Sequence, residues 1–297
     1  MHSYHRRYFS NETLDRWASL AHCGAMKLAH AMRAARWIAV AALSAGLMGT
    51  VGASGTGINH VSIALSGRMA KLPRLTVWAW ERREDLRRLD ASTAAVAYLD
   101  RTVAVDATGL HIEPRRQGML LPDSTALVRI AVVRIEVATG TPLNAAQADA
   151  VALAISEAAA DGDAVAALQV DFDARQSQRE WYAGVLHRVR AQMPPQMPLS
   201  ITALASWCSY DGEWMRALPV DEAVPMLFRM EPDRRRAGMS SSWGTGDFAL
   251  REPLCMGSVG ISTREPWPSD MHERRVYVFA DRGWSRDGLQ ETVRSLE

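Results

Sequence analysis

The stretch ALVRIAVVRIEV (Ala126–Val137), with the helical spacing of Asn144–Ala160 behind it and AALQVDFD (Ala166–Asp173) after that, reads strand, helix, strand. β-Branched residues stiff at χ1 suit a pleated ladder, and the Ala and Leu spacing of the middle segment suits a helix. Two strands joined through a helix form the unit of a parallel sheet. The pattern repeats on both sides of this unit. LTVWAWE (Leu75–Glu81) and AVAYLDRTV (Ala95–Val103) precede it, and LSITALASW (Leu199–Trp207), EAVPMLFRM (Glu222–Met230), GSVGIST (Gly257–Thr263) and RVYVFA (Arg275–Ala280) follow, which makes eight runs. A second helix is predicted over Ser177–Met193, with Trp181, Leu186 and Val189 on one stripe and Pro194 and Pro195 as its stop. Eight such strands, in a span close to the ~250 residues usual for the architecture, predict an α/β protein with a single-domain (β/α)8 TIM-like barrel. A doubly wound open sheet is the alternative, but it would need fewer strands and a nucleotide-binding turn. Two crossovers look irregular: Asp106–Asp123 is predicted to hold a hairpin, and Asp233–Leu254 is rich in Ser, Gly and Arg.

The whole chain has 297 residues, 48% of them hydrophobic and 23% charged, which excludes disorder, collagen and a multi-span membrane protein. Its 34 basic residues, all Arg except Lys27 and Lys71, nearly balance 33 acidic ones, so the net charge of +1 points to no nucleic-acid partner. From Met26 the N-terminal region has the order of a signal peptide. Lys27, Arg33 and Arg36 form a basic segment, WIAVAALSAGLM (Trp37–Met48) is an apolar run, and Val51-Gly52-Ala53 supplies small residues for cleavage after Ala53. The apolar run is shorter than the roughly 20 residues that a spanning helix needs. The predicted organisation is therefore a leader over 1–53, with Met26 or Met32 as alternative starts, a linker over 54–73 and the barrel over 74–297. Such a protein is exported to the periplasm or beyond, or is held at the membrane by an uncleaved leader. The mature chain would keep two cysteines, Cys208 and Cys255, and in an oxidising compartment these either form a disulfide or remain two buried thiols.

In a barrel of this kind, functional side chains project from the C-terminal ends of the strands, and alternate residues point inward. On the fourth run Leu168, Val170 and Phe172 should face the helices, leaving Gln169, Asp171 and Asp173 inside. Inward carboxylates are costly to bury without a partner or a task, and Arg134 and Arg229 are candidate ion-pair partners. Other strand ends also carry charge: Glu81, Asp100, Arg134 with Glu136, Arg229, Glu265 and Asp281. The histidines beyond the leader, His60, His111, His187 and His272, lack metal-site spacing, so no metal and no cofactor is expected. Acids without metal ligands or an activated nucleophile point to glycoside hydrolysis, in which one carboxyl protonates the leaving oxygen and another acts as nucleophile or base. The expected pair is Asp173 as acid and Glu265 as nucleophile or base, with Asp171 raising the pKa of Asp173 by like-charge repulsion. Tryptophans Trp78, Trp80, Trp207, Trp243 and Trp267 are candidates for sugar stacking, though each also suits a core. Trp80, Glu81, Asp100, Arg134, Glu136, Trp207, Arg229 and Trp267 form the expected binding set. The expected ligand is a glycan or another small molecule, and a non-catalytic carbohydrate-binding or cell-envelope scaffold barrel is the alternative.

The blocks VWAWERREDLRRLD (Val77–Asp90), LQVDFDARQSQREWY (Leu168–Tyr182), LSITALASWC (Leu199–Cys208), DEAVPMLFRM (Asp221–Met230) and REPLCMGSVGISTREPWP (Arg251–Pro268) resemble an uncharacterised bacterial family of exported proteins known as a domain of unknown function. That family is remotely similar to glycoside-hydrolase barrels, which implies the barrel without a substrate. The VDFD segment also resembles the fourth-strand motif DxxDxDxE of chitinase-like barrels, Asp171 and Asp173 matching its second and third acids. Leu168 and Arg175 stand at the first Asp and at the catalytic Glu, so the resemblance implies that Glu265 or Glu136 supplies the missing carboxyl. Two other motifs fail: the Gly-rich Gly49–Gly57 has no strand before it, and the Ser-rich Gly238–Gly244, read as a loop over the mouth, lacks the spacing of a nucleophile elbow.

Overall fold

This computed structural model describes residues 67–160, 165–228, 249–268, 271 and 274–296. The leader, Arg229, Trp243, His60 and His272 lie outside the described residues. The strands are β1 (Leu75–Ala79), β2 (Glu84–Asp85), β3 (Ala94–Asp106), β4 (Gly109–Pro114), β5 (Met119–Leu120), β6 (Val128–Val137), β7 (Val165–Asp171), β8 (Leu199–Leu204), β9 (Glu222–Met226), β10 (Ser258–Ser262) and β11 (Arg275–Phe279). The helices are α1 (Ala145–Glu157), α2 (Arg179–Gln192), α3 (Ala205–Ser209) and α4 (Arg286–Leu296). Eight strands run in the order β1-β11-β10-β9-β8-β7-β6-β3, all parallel, and a β1–β3 pairing from Leu75↔Ala94 to Ala79↔Tyr98 closes the ring. The chain is a (β/α)8-type barrel, and its eight barrel strands are the eight runs read from the sequence.

Local chemistry sets the crossovers. Asn144 caps α1 by accepting from the Gln147 amide at 3.0 Å, while the Gln147 side chain accepts from the Asn144 amide at 2.9 Å, a reciprocal box that satisfies two otherwise orphaned donors. α2 stops at Gln192 because Met193 is extended ahead of Pro194, as a residue before proline prefers. Leu168, Val170 and Phe172 pack outward against Val151, Ile155, Tyr182 and Leu186 of the two helices, as the alternation predicts. The inner faces carry Ala95, Ala97, Ile130, Val132, Ala167, Val224, Tyr277 and Phe279, a narrow plug in which small residues face large ones. Gly260 belongs to this packing, since a Cβ there would lie 2.7 Å from Met226 Sδ.

The floor of the barrel is polar. Glu222 Oε1 accepts from the Tyr277 hydroxyl at 2.5 Å and from Ser200 Oγ at 3.1 Å, and Gln169 Nε2 donates to Ser200 Oγ at 3.1 Å. Arg275, wholly buried, lies 3.5 Å from Glu222 and donates to the carbonyls of Met69, Leu72 and Pro73, which tie the segment before β1 across the base. Burial pushes the Glu222 carboxyl above its usual range, against the pull of Arg275.

One wall rises above the rest. β3 is 13 residues long, and where β1 ends at Ala79 the antiparallel strand β4 takes over its edge, pairing from Arg101↔Pro114 to Asp106↔Gly109. This is the hairpin expected within Asp106–Asp123. Its turn is held by Asp106 Oδ1, which accepts from the Thr108 amide at 2.7 Å, the Thr108 hydroxyl at 2.6 Å and the Gly109 amide at 3.1 Å. Gly109 sits at φ 136°, a conformation that side-chain-bearing residues avoid.

Candidate active site

The pocket of about 500 Å³ at the C-terminal mouth of the barrel is bounded on one side by the β3–β4 wall. Its floor is a row of rings. Trp80 meets Trp78 edge-on at 5.5 Å, Trp78 meets Phe279 edge-on at 5.8 Å, and Phe279 stacks on Phe228 at 5.5 Å with 6° between planes. Strand alternation puts these rings together: Trp78 and Trp80 share the inward face of the β1 region, and Phe279 follows Tyr277 on that of β11. Leu99, Leu204 and Met226 complete the apolar lining.

The rim is charged. Glu81, Glu113, Glu136, Asp171 and Asp173 line the pocket together with Arg116 and Arg134. Arg134 is the hub. Its Nη1 donates to Asp171 Oδ2 and its Nε to Glu136 Oε1, each at 2.7 Å, and its guanidinium lies 5.4 Å from the Trp80 ring centre. Burial works against its charge, but Asp171 and Glu136 outweigh burial and raise its pKa. The other oxygen of Asp171 accepts from Thr202 Oγ1 at 2.7 Å. Asp171 is thus a buried, twice-anchored carboxylate, and the ion pair with Arg134 expected from the sequence is present. In the outer core, where Tyr182 packs edge-on to Phe172, the phenol has its pKa pushed well up, first by burial and then by the charges of Asp171 and Asp173. Glu81 accepts from the backbone amides of Arg116 at 3.0 Å and Gln117 at 2.9 Å, which fastens the chain after β4 to the mouth.

Of the expected site residues, the pocket gathers Asp171, Asp173, Trp80, Glu81, Arg134 and Glu136. Four others lie elsewhere. Glu265 is not in the pocket wall, so the expected Asp173–Glu265 pair does not share this cavity. Trp267 packs against the outer core and donates its indole N–H to the Ser262 carbonyl at 2.8 Å. Trp207, on α3, is 1% exposed and lies in the outer core with Leu199, Ile201 and Ala203, whose parity it shares, edge-on to Trp214 at 5.1 Å. Asp100 sits at a bulge between Leu99 and Arg101, where it accepts from Arg101 Nε at 2.6 Å. The extra residue re-aims the strand, so that Leu99 and Thr102, three apart, both reach the pocket. Arg175, at the position of the chitinase-like Glu, points elsewhere as well: its guanidinium donates to Thr139 Oγ1 at 3.3 Å and it lines a separate cavity beside α1 and α2.

Glu113, Pro114 and Arg116 of the raised wall, together with Thr102, Met226, Phe228 and Phe279, were not among the expected site residues. The alternation of Val224, Met226 and Phe228, and of Tyr277 and Phe279, carried a readable signal for part of this set. Cys208 and Cys255 form a disulfide that ties α3 to the segment before β10. Among the described residues no group of three or more His, Cys, Asp or Glu could hold a metal ion, and no helix is long and apolar enough to cross a membrane.

Residues 125–224 match the family model of a domain of unknown function, DUF3142. This stretch, about a third of the chain, carries Arg134, Glu136, Asp171, Asp173 and Thr202, but neither the aromatic row nor the β4 wall. Among solved structures, a candidate chitinase A from Streptomyces coelicolor is 12% identical with a TM-score of 0.48, over 75% of this chain and 96% of that one. The chitinase domain of the spore coat protein CotE from Clostridium difficile is 12% identical with a TM-score of 0.37, over 78% of this chain and 64% of that one. Both similarities are remote, and the barrel described above rests on its own strand order. No curated protein matches the chain by sequence.

Proposed function

We propose that this protein is an exported glycoside-hydrolase-like barrel that binds a glycan in its mouth pocket and cleaves it between Asp173, as proton donor, and Glu136, as nucleophile or base. The observation that carries this reading is the pocket itself, in which Asp173 and Glu136 line one cavity over a floor of aromatic rings. Sugar rings have one apolar face that stacks on such a floor and hydroxyls that bond to a charged rim, and a hydrolase of this type needs two carboxyls across the scissile bond. Of the two glutamates that the chitinase-like resemblance offers for the second carboxyl, Glu136 lines the pocket with Asp173 and Glu265 does not. Asp171 then serves as a positioning residue, holding Arg134, which in turn holds Glu136. The Cys208–Cys255 disulfide supports an oxidising compartment, in line with the leader.

A second reading, glycan binding without cleavage, is favoured by one observation: Arg134 already engages Glu136 at 2.7 Å, a contact that occupies a carboxylate oxygen and blunts it as a nucleophile. The experiment is a screen for reducing ends released from oligosaccharides by the wild type and by Asp173→Asn, Glu136→Gln and Glu265→Gln, with binding measured in parallel by calorimetry. Hydrolysis lost in the first two and kept in the third supports cleavage by this pair. Binding without release in the wild type leaves the second reading, and neither binding nor release overturns both.

A further inference from the structure

We propose that the mouth pocket selects glycans that carry free amino groups, such as glucosamine oligomers with unacetylated nitrogens; this rests on the reading of the pocket as a glycan site. Among the described residues its walls hold five carboxyl groups, Glu81, Glu113, Glu136, Asp171 and Asp173, against the two guanidinium groups of Arg116 and Arg134. With Asp173 holding its proton as the acid, four carboxylates face two guanidinium groups and two negative charges are in excess, and the Arg134 guanidinium is already engaged by Asp171 and Glu136. A concave site with apolar walls focuses such a field. Entry of a neutral sugar displaces water from these carboxylates and returns only hydroxyl donors. An ammonium group returns three charge-assisted donors and neutralises part of the excess. An acidic polysaccharide meets repulsion from the same groups.

The floor favours the same ligand. Trp80 is half-buried at the rim with Arg134 near its ring, so a cation already occupies one part of that π surface, while Trp78, Phe279 and Phe228 continue the row beneath the acids. Aromatic faces attract an ammonium as well as the apolar face of a pyranose. Glu113, exposed on β4, brings a carboxylate to the pocket from the raised wall, within the same lining as Asp171 at the end of β7 and Asp173 just beyond it.

The test is calorimetric binding of three hexamers, of glucosamine, N-acetylglucosamine and glucose, to the full-length oxidised protein bearing Asp173→Asn to prevent turnover. Asp173→Asn replaces the proton donor with a neutral amide and leaves the other four carboxylates in place. At low salt the glucosamine hexamer is expected to bind roughly tenfold or more tightly than either other hexamer. That ratio should shrink at high salt, where screening weakens exposed charges, and again in a Glu113→Gln background. Equal or tighter binding of the acetylated or neutral hexamer overturns the selectivity and leaves the glycan site standing. Failure of all three to bind overturns the glycan site itself.

Discussion

Replacing Arg134 by Met should remove the hub of the mouth while keeping most of its aliphatic stem. The loss has three parts. Asp171, with a side chain only 9% exposed, gives up one charge-assisted hydrogen bond and keeps Thr202 alone, which costs about 1.5–3 kcal/mol. The guanidinium contact over Trp80 adds about 0.5–1 kcal/mol. Glu136 is more than half exposed, so its share is at most about 0.5 kcal/mol. Because the Arg134 side chain is itself 33% exposed, water recovers part of this, and a net loss of about 2–3 kcal/mol is expected. In a domain of this size that corresponds to a fall in Tm of roughly 5–10 °C. Scanning calorimetry and urea unfolding followed by Trp fluorescence would measure it. Adding Asp171→Asn should return a good part of the loss, since a buried carboxylate no longer lacks its partner. A single variant within about 0.5 kcal/mol of wild type, or a double variant less stable than the single, would refute the assignment of Arg134 as the hub.

Other perturbations address the rest of the fold. Arg275→Met should cost about 3–5 kcal/mol in urea unfolding, because it leaves Glu222 buried without its cation and frees three carbonyls at the base; a neutral effect would contradict that role. The raised folded pKa of Glu222 means that its contribution to stability is full below its usual value of 4.5 and declines as pH rises through the folded value. Wild type should therefore lose stability over that window relative to Glu222→Gln, and parallel pH profiles would count against it. Asp106 is held down to about 2, first by the Thr108 hydroxyl, so its support of the β3–β4 turn is present above 3.8 and is lost as pH falls through about 2. Carbon NMR of its carboxyl should titrate near that value and not near 3.8. Reducing the Cys208–Cys255 bond, whose partners are 47 residues apart, should lower stability by up to about 4 kcal/mol from chain entropy, and an unchanged melting curve under reductant would contradict it.

Much of the barrel was legible because β-branched runs and period-two alternation are local signals. ALVRIAVVRIEV and AALQVDFD became β6 and β7, and β7 packs Leu168 and Val170 outward as its alternation predicts. In LSITALASW the inward set is Ser200, Thr202 and Leu204, so Trp207 shares the outward parity of Leu199, Ile201 and Ala203, and its place in the outer core was readable from the alternation. The site was less legible at the strand ends. At Asp100 a bulge adds one residue and shifts which side chains face the mouth, and nothing in AVAYLDRTV marks it. Glu265 lies beyond the end of β10, where strand parity has no hold on direction. The wall residues Glu113 and Arg116 reach the pocket only because β4 continues the edge that β1 abandons, a non-local fact set by the unequal lengths of β1 and β3.

The measurement that bears most directly on the function is a crystal structure of the Asp173→Asn protein grown with a bound oligosaccharide. A pyranose ring lying over Trp80 or Trp78, with its glycosidic oxygen toward residue 173 and its anomeric carbon toward Glu136, is the expected result. A saturating ligand that leaves the mouth empty, or that binds on the outer helices, would contradict a glycan site at the barrel mouth.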